Sequence, residues 1–159
     1  MQPVVKNLVS RIVSGGQTGA DRAALDWAIA HGVPHGGWCP AGRRAEDGVI
    51  PDIYQLIETP SRAYEPRTKW NVRDSDATLI ISQRSQLTGG SKRTQEFAIA
   101  LGKPCLHLHA GVNAAAELRD FLAHNPVTVL NIAGPRESTE PGIGQFVLAT
   151  LDACRDILA

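Results

Sequence analysis

The sequence predicts an α/β fold, a single three-layer domain on a mainly parallel sheet. Three observations carry this. Four short β-branched or aliphatic runs recur along the chain. A glycine-rich or turn-forming stretch follows each run. Each stretch then gives way to a helical pattern. Strands that alternate with helices pair in parallel and are covered on both faces. A sheet of about five to six strands is the expectation.

The first run, residues 9–14, leads into a helix over residues 20–31. There Ala20, Ala23, Ala24, Trp27, Ala28 and Ile29 recur at spacings of three and four. The second run, 77–82, leads into a helix over 92–101. That helix closes on Gly102-Lys103-Pro104, a C-cap glycine followed by a proline. The third run, 104–109, precedes an alanine-rich helix over 113–123, stopped by His124-Asn125-Pro126. The fourth, 127–133, precedes a helix over 142–158. Residues 33–76 are less regular. Within them 35–37 and 39–48 read as loop, 54–58 as a short strand and 66–74 as a helix. An irregular insertion this long is more often functional than idle.

Composition narrows the function. A chain of 159 residues fits one domain, so 1–159 is taken as a single ligand-binding unit. Lys+Arg and Asp+Glu both number 16, which argues against a general nucleic-acid binder. Aromatics at 5% are too few for a base-stacking platform. No apolar run nears the ~18 residues of a membrane span. Residues 1–10 lack the apolar core of a secretory leader. Cys39, Cys105 and Cys154 are odd in number and have no CxxC spacing, so reduced thiols in the cytoplasm are expected.

Chemistry concentrates after the strands. Gly15, Gly16, Gln17, Thr18 and Gly19 link the first strand to its helix, whose first turn carries Asp21 and Arg22. Glycines let backbone N–H groups approach an anion, and the helix dipole adds to this. Thr18 can cap the helix or bond a ligand oxygen. The alternative is a tight βα turn. Thr88, Gly89, Gly90, Ser91, Lys92, Arg93 and Thr94 repeat this chemistry after the second strand, with two cations added. Its alternative is a flexible turn with a solvated face. Both loops emerge at the carboxyl edge of the sheet, where open α/β folds bind ligands. After the last strand, Gly134 and Arg136 form a third loop, and Arg136 suits a phosphate or carboxylate. Asn71 and Asp74 suit the polar edges of a heterocycle, or a turn closure. Glu96 is the one candidate for general acid–base work; charge complementarity at a helix start is the alternative. His107 and His109 share a strand face without an evident third metal ligand, so no metal site and no structural metal are expected. Cys39 reads as a buried thiol rather than a soft metal ligand.

SGGQTGADRAALDWA, GWCPAGRRAEDG, RTKWNVRDSDATLI, TGGSKRTQEFA and NIAGPRES follow one another from about residue 12 to residue 143. Together they resemble the molybdenum-cofactor carrier family. That family lies in a Rossmann-like superfamily shared with lysine-decarboxylase-like nucleotide phosphoribohydrolases. The resemblance implies a Rossmann-like fold and a phosphorylated heterocyclic ligand, pterin or nucleotide-like. It implies molybdenum cofactor (molybdopterin) as the carried ligand, with the two Gly-rich loops holding its oxyanions. It further implies a homo-oligomer, dimer or tetramer, and molybdoenzyme acceptors as partners. The phosphoribohydrolases carry PGGxGTxxE. Here the paired glycines, Thr94 and Glu96 are spaced differently, and no glycine precedes the threonine. Two other functions stay open beside the carrier: a nucleoside 5′-monophosphate N-glycosidase using Glu96, and a nucleotide-sensing module.

Overall fold

Alternate side chains of the central strands divide between two environments, and this division builds the layers. A computed structural model describes residues 9–159. Most of the segment searched for a leader, residues 1–8, lies outside the described residues. The elements run β1 (Arg11–Val13), α1 (Ala20–Ala30), β2 (His35–Gly36), β3 (Trp38–Cys39), β4 (Arg44–Ala45), β5 (Gly48–Val49), β6 (Ile57–Glu58) and α2 (Tyr64–Arg73). They continue with β7 (Ala77–Ile81), α3 (Gly89–Ala100), β8 (Cys105–Leu108), α4 (Ala114–His124), β9 (Val129–Ala133), α5 (Ile143–Ala153) and α6 (Arg155–Leu158).

The main sheet has the order β2-β1-β9-β7-β8, and every pair is parallel. Ile12, Leu79, Ile81, Leu130 and Ile132 point to one face, where α1, α4 and α5 cover them in the principal core. The intervening residues point the other way. There Thr78 lies beside Asn131, both buried, and Asn131 Nδ2 donates to Thr78 Oγ1 at 3.2 Å. Above this second face α2 and α3 pack through Val72, Phe97 and Ala98. The result is the three-layer Rossmann-like α/β fold expected.

The irregular segment differs from its sequence reading. His35–Gly36, read as loop, is the fifth strand of the sheet, paired with Ile12 and Val13. Two residues flanked by proline and glycine give no periodicity to detect. Of the expected strand 54–58 only Ile57–Glu58 pairs, in parallel with β3. β4 and β5 form a small antiparallel hairpin. Leu25, Cys39, Ala45, Ile50 and Tyr54 give this insertion its own core against α1. Arg43, at φ 53°, directs its guanidinium to the Ile50, Pro51 and Tyr54 carbonyl oxygens, which accept at 3.0, 2.8 and 2.9 Å.

Candidate functional site

The chain leaves β1 toward β2 on one side and leaves β7 toward β8 on the other. β9 fills the place between them. Ligand crevices form at such a reversal, outside the carboxyl ends of the strands. Here the crevice is lined by Gly15, Asp21, Arg67, Asn71, Gly90 and Asn131, among others, and its enclosed part holds about 50 Å³.

Arg67 and Asp21 form the charged floor. Arg67 is only 8% exposed and Asp21 only 7%. Arg67 Nη1 donates to the Gly15 carbonyl at 2.8 Å and lies 3.4 Å from Asp21 Oδ2, while Nε donates to the Tyr64 carbonyl at 3.2 Å. Nη2 has no protein partner among the described residues. No fully buried side-chain nitrogen or oxygen among them lacks one, so Nη2 keeps some exposure, on a residue that lines the crevice. The Asn131 amide oxygen is in the same position. Burial pushes the Asp21 carboxyl above its ordinary range, and Arg67 opposes this only in part.

The first Gly-rich loop is largely engaged by the protein itself. Gln17 N–H donates to Asp21 Oδ2 at 3.3 Å, Thr18 N–H to Gln17 Oε1 at 3.1 Å, and Ala20 N–H to the Pro135 carbonyl at 3.1 Å. The Gln17 oxygen also accepts from Glu46 N–H at 2.8 Å. Gly16, at φ 81°, is covered by Ile50 and Leu56, and its carbonyl accepts from Arg22. Arg22 in turn pairs with Asp47. Gly19 packs against the Pro135–Glu137 backbone. Of this set, the structure brings Gly15 and Asp21 to the crevice wall.

The second loop is more open. Its glycines belong to the first turn of α3, and a Cβ built on Gly89 or Gly90 meets nothing within 4 Å. Gly90 and Thr94 line the crevice, with Thr94 Oγ1 donating to the Gly90 carbonyl at 2.9 Å. Ser91 is buried, while Thr88 and Lys92 are exposed. Arg93 lies on the outer face of α3, where it pairs with Glu65 and Glu96 and stacks on Phe97. Glu96 is therefore held outside the crevice, about 200° around the helix from Thr94.

In the third loop Gly134 is packed too tightly for a side chain, against the Ile81 carbonyl and Ala20 Cβ. Arg136 Nη1 lies 3.7 Å from Glu46 Oε2. Asn71 spends both ends of its amide on one backbone. Its Oδ1 accepts from Trp38 N–H at 2.8 Å and its Nδ2 donates to the Trp38 carbonyl at 2.9 Å. Asp74 pairs with Arg73 and accepts from the Trp38 indole. Asn71 and Asp74 thus fix the insertion against α2.

Sequence reasoning missed Arg67, Thr68 and Asn131. Asn131 did leave a signal, as a polar residue inside an aliphatic strand. So did Arg67, four residues before Asn71 and hence on the same helix face. Cys39 is fully buried, and burial pushes its thiol upward. His107 Nε2 shares a hydrogen bond with Ser82 Oγ at 2.6 Å. Among the described residues no group of three His, Cys, Asp or Glu side chains is placed to hold a metal, and no helix is long and apolar enough to cross a membrane.

Comparison with known proteins bears on the family and the fold. No curated protein matches the chain. A protein from Syntrophus aciditrophicus SB named "Putative molybdenum carrier protein", with a crystal structure at 1.45 Å, is 48% identical over 93% of this chain and 96% of its own, with a TM-score of 0.88. (E)-4-hydroxy-3-methyl-but-2-enyl diphosphate reductase aligns at 13% identity and a TM-score of 0.40, over 91% of this chain and 59% of its own, too distant to bear on function. The model of the circularly permutated YpsA SLOG family matches residues 12–155. By that match, which spans the sheet, the insertion and all three loops, the chain belongs to the circularly permutated YpsA SLOG family.

Proposed function

We propose that the protein is a carrier of a phosphorylated heterocycle of the molybdenum-cofactor class, bound at the crevice between β1, β9 and β7. One observation carries this reading: a buried guanidinium at the sheet reversal that lines the crevice, with its Nη2 unpartnered by protein among the described residues. A planar cation with free donors suits an oxyanion. The enclosed 50 Å³ equals a few water molecules, room for a phosphate-sized group and not for a fused ring system. The heterocycle is therefore assigned to the open mouth, with Gly90 and Thr94 of the second loop beside its phosphate. The 48%-identical relative, named as a molybdenum carrier, supports the same class of cargo. A carrier needs no acid or base at the reacting bond, and Glu96 outside the crevice agrees with that.

A paired incubation tests the proposal. The purified protein is incubated anaerobically with released molybdenum cofactor, and separately with AMP. Expected is cofactor retained through gel filtration, with AMP intact. Release of free adenine, or loss of the cofactor on the column, overturns the carrier reading.

A further inference from the structure

Three arginines from three separate elements converge on one aromatic ring. The guanidinium carbons of Arg44 in β4, Arg67 in α2 and Arg136 in the third loop lie 4.6, 5.3 and 5.7 Å from the centre of the Tyr64 ring. Each is individually attracted to the ring face. Together they repel one another, and the compensating carboxylates are incomplete. Arg67 has Asp21 at 3.4 Å and Arg136 has Glu46 at 3.7 Å. Arg44 has no carboxylate partner among the described residues; its Nη1 donates to the Arg62 carbonyl at 3.0 Å. Arg67 is more than nine-tenths buried, with Nη2 open and unpartnered.

We infer that Arg44 and Arg136, gathered with Arg67 around Tyr64, extend the Arg67 end of the crevice into a subsite for a doubly charged phosphate group. This rests on the crevice assigned above and deepens it. A phosphate dianion answers both features. Its charge relieves the mutual repulsion of the cations, and its oxygens accept from their planar N–H forks. Arg44 belongs to the β4–β5 hairpin and Tyr64 opens α2, so their contact holds the hairpin against the start of that helix. The insertion thus completes the subsite and does not merely shield the sheet.

Calorimetric titration at low ionic strength tests the inference, with inorganic phosphate and AMP as probes. Arg44→Gln is the principal variant, because Arg44 is exposed and its one hydrogen bond is to a surface carbonyl. Arg119→Gln, on the exposed face of α4, controls for net charge. Arg44→Gln is expected to weaken both probes about 10- to 100-fold, as loss of a charge-assisted contact does. Arg44→Lys is expected to recover part of that loss, Arg119→Gln to match wild type, and the melting temperature of every variant to hold. Equal weakening by Arg119→Gln, unchanged affinity in Arg44→Gln, or no phosphate binding by the wild type overturns the subsite. A protein that retains molybdenum cofactor while Arg44→Gln binds phosphate normally keeps the carrier reading and loses the subsite. One that binds phosphate through Arg44 yet fails to retain the cofactor does the reverse.

Discussion

Arg67 Nη1 lies 2.8 Å from the Gly15 carbonyl oxygen and 3.4 Å from Asp21 Oδ2. One buried guanidinium thereby ties the loop and first turn of α1 to α2, across 52 residues of sequence. Removing it leaves a buried carboxylate without its counter-charge. Arg67→Met is expected to destabilise the fold by about 3–5 kcal/mol, read by urea denaturation. Arg67→Met with Asp21→Asn is expected to recover most of that loss, because neither charge then remains. A double variant no more stable than the single one would show that the pair is not the cause.

The Asp21 carboxyl has its own pH signature. Burial raises its folded pKa above the unfolded value of 3.8, with Arg67 opposing. A raised pKa means that the folded state holds the proton more tightly. The contribution of this group to stability is therefore complete below 3.8 and is lost as pH rises through the higher folded value. Asp21→Asn removes that loss. The stability of wild type relative to Asp21→Asn is expected to fall as pH climbs from 3.8 toward neutrality, measured by denaturation at a series of pH values. A difference that stays flat or grows contradicts the assignment.

Two glycines of the candidate loops are expected to respond oppositely to alanine. A Cβ on Gly134 would press into the Ile81 carbonyl and sit 2.6 Å from Ala20 Cβ, where α1 crosses the sheet. Gly134→Ala should cost about 1–3 kcal/mol or more. Gly90 stands in the first turn of α3 with open space around it, so Gly90→Ala should be neutral or stabilise by up to about 1 kcal/mol. Thermal melts of both variants check the contrast. The same geometry selects the probe of binding. Gly16→Val would clash with Leu56 and Ile50 at a positive φ and is expected to disturb folding, whereas Gly90→Val, in open space at a residue lining the crevice, is expected to leave the fold intact.

Glu46 latches the insertion to two of the three loops. It accepts from Thr18 Oγ1, from Ser138 N–H at 3.3 Å and from Ser138 Oγ at 2.6 Å. Burial alone would raise its carboxyl, but these hydrogen bonds outweigh that and hold it below its usual range. Glu46→Ala is expected to lower stability by about 1.5–3 kcal/mol. Limited proteolysis should then cut within residues 43–58 before the main sheet opens. Uniform loss of the whole domain would argue against a separable latch.

By itself the sequence determined the architecture. Four aliphatic runs, the 3–4 spacing of Ala23, Trp27 and Ala28, and the Gly-Lys-Pro stop after α3 are local signals. Strand, helix and cap propensities act over a few residues and so survive in the linear text. The motif resemblance likewise lay in the text, and the family match confirms it. Gly15, Gly90 and Thr94 were legible as crevice residues because a glycine-rich turn after a parallel strand has one place to go.

The tertiary structure alone decided which polar groups face a ligand and which serve the fold. Asn71 looked free to read a heterocycle, yet the Trp38 backbone consumes its amide. Gln17 and Thr18 are turned toward Glu46, a contact set by an insertion with no periodicity to reveal it. Arg67 looked like one more surface charge. Its place beneath Gly15, and its meeting with Arg44 and Arg136 at Tyr64, depend on packing between segments far apart in the chain. Burial and pairing across such distances are long-range properties that no local pattern encodes, and here they decide where a negative charge is welcome.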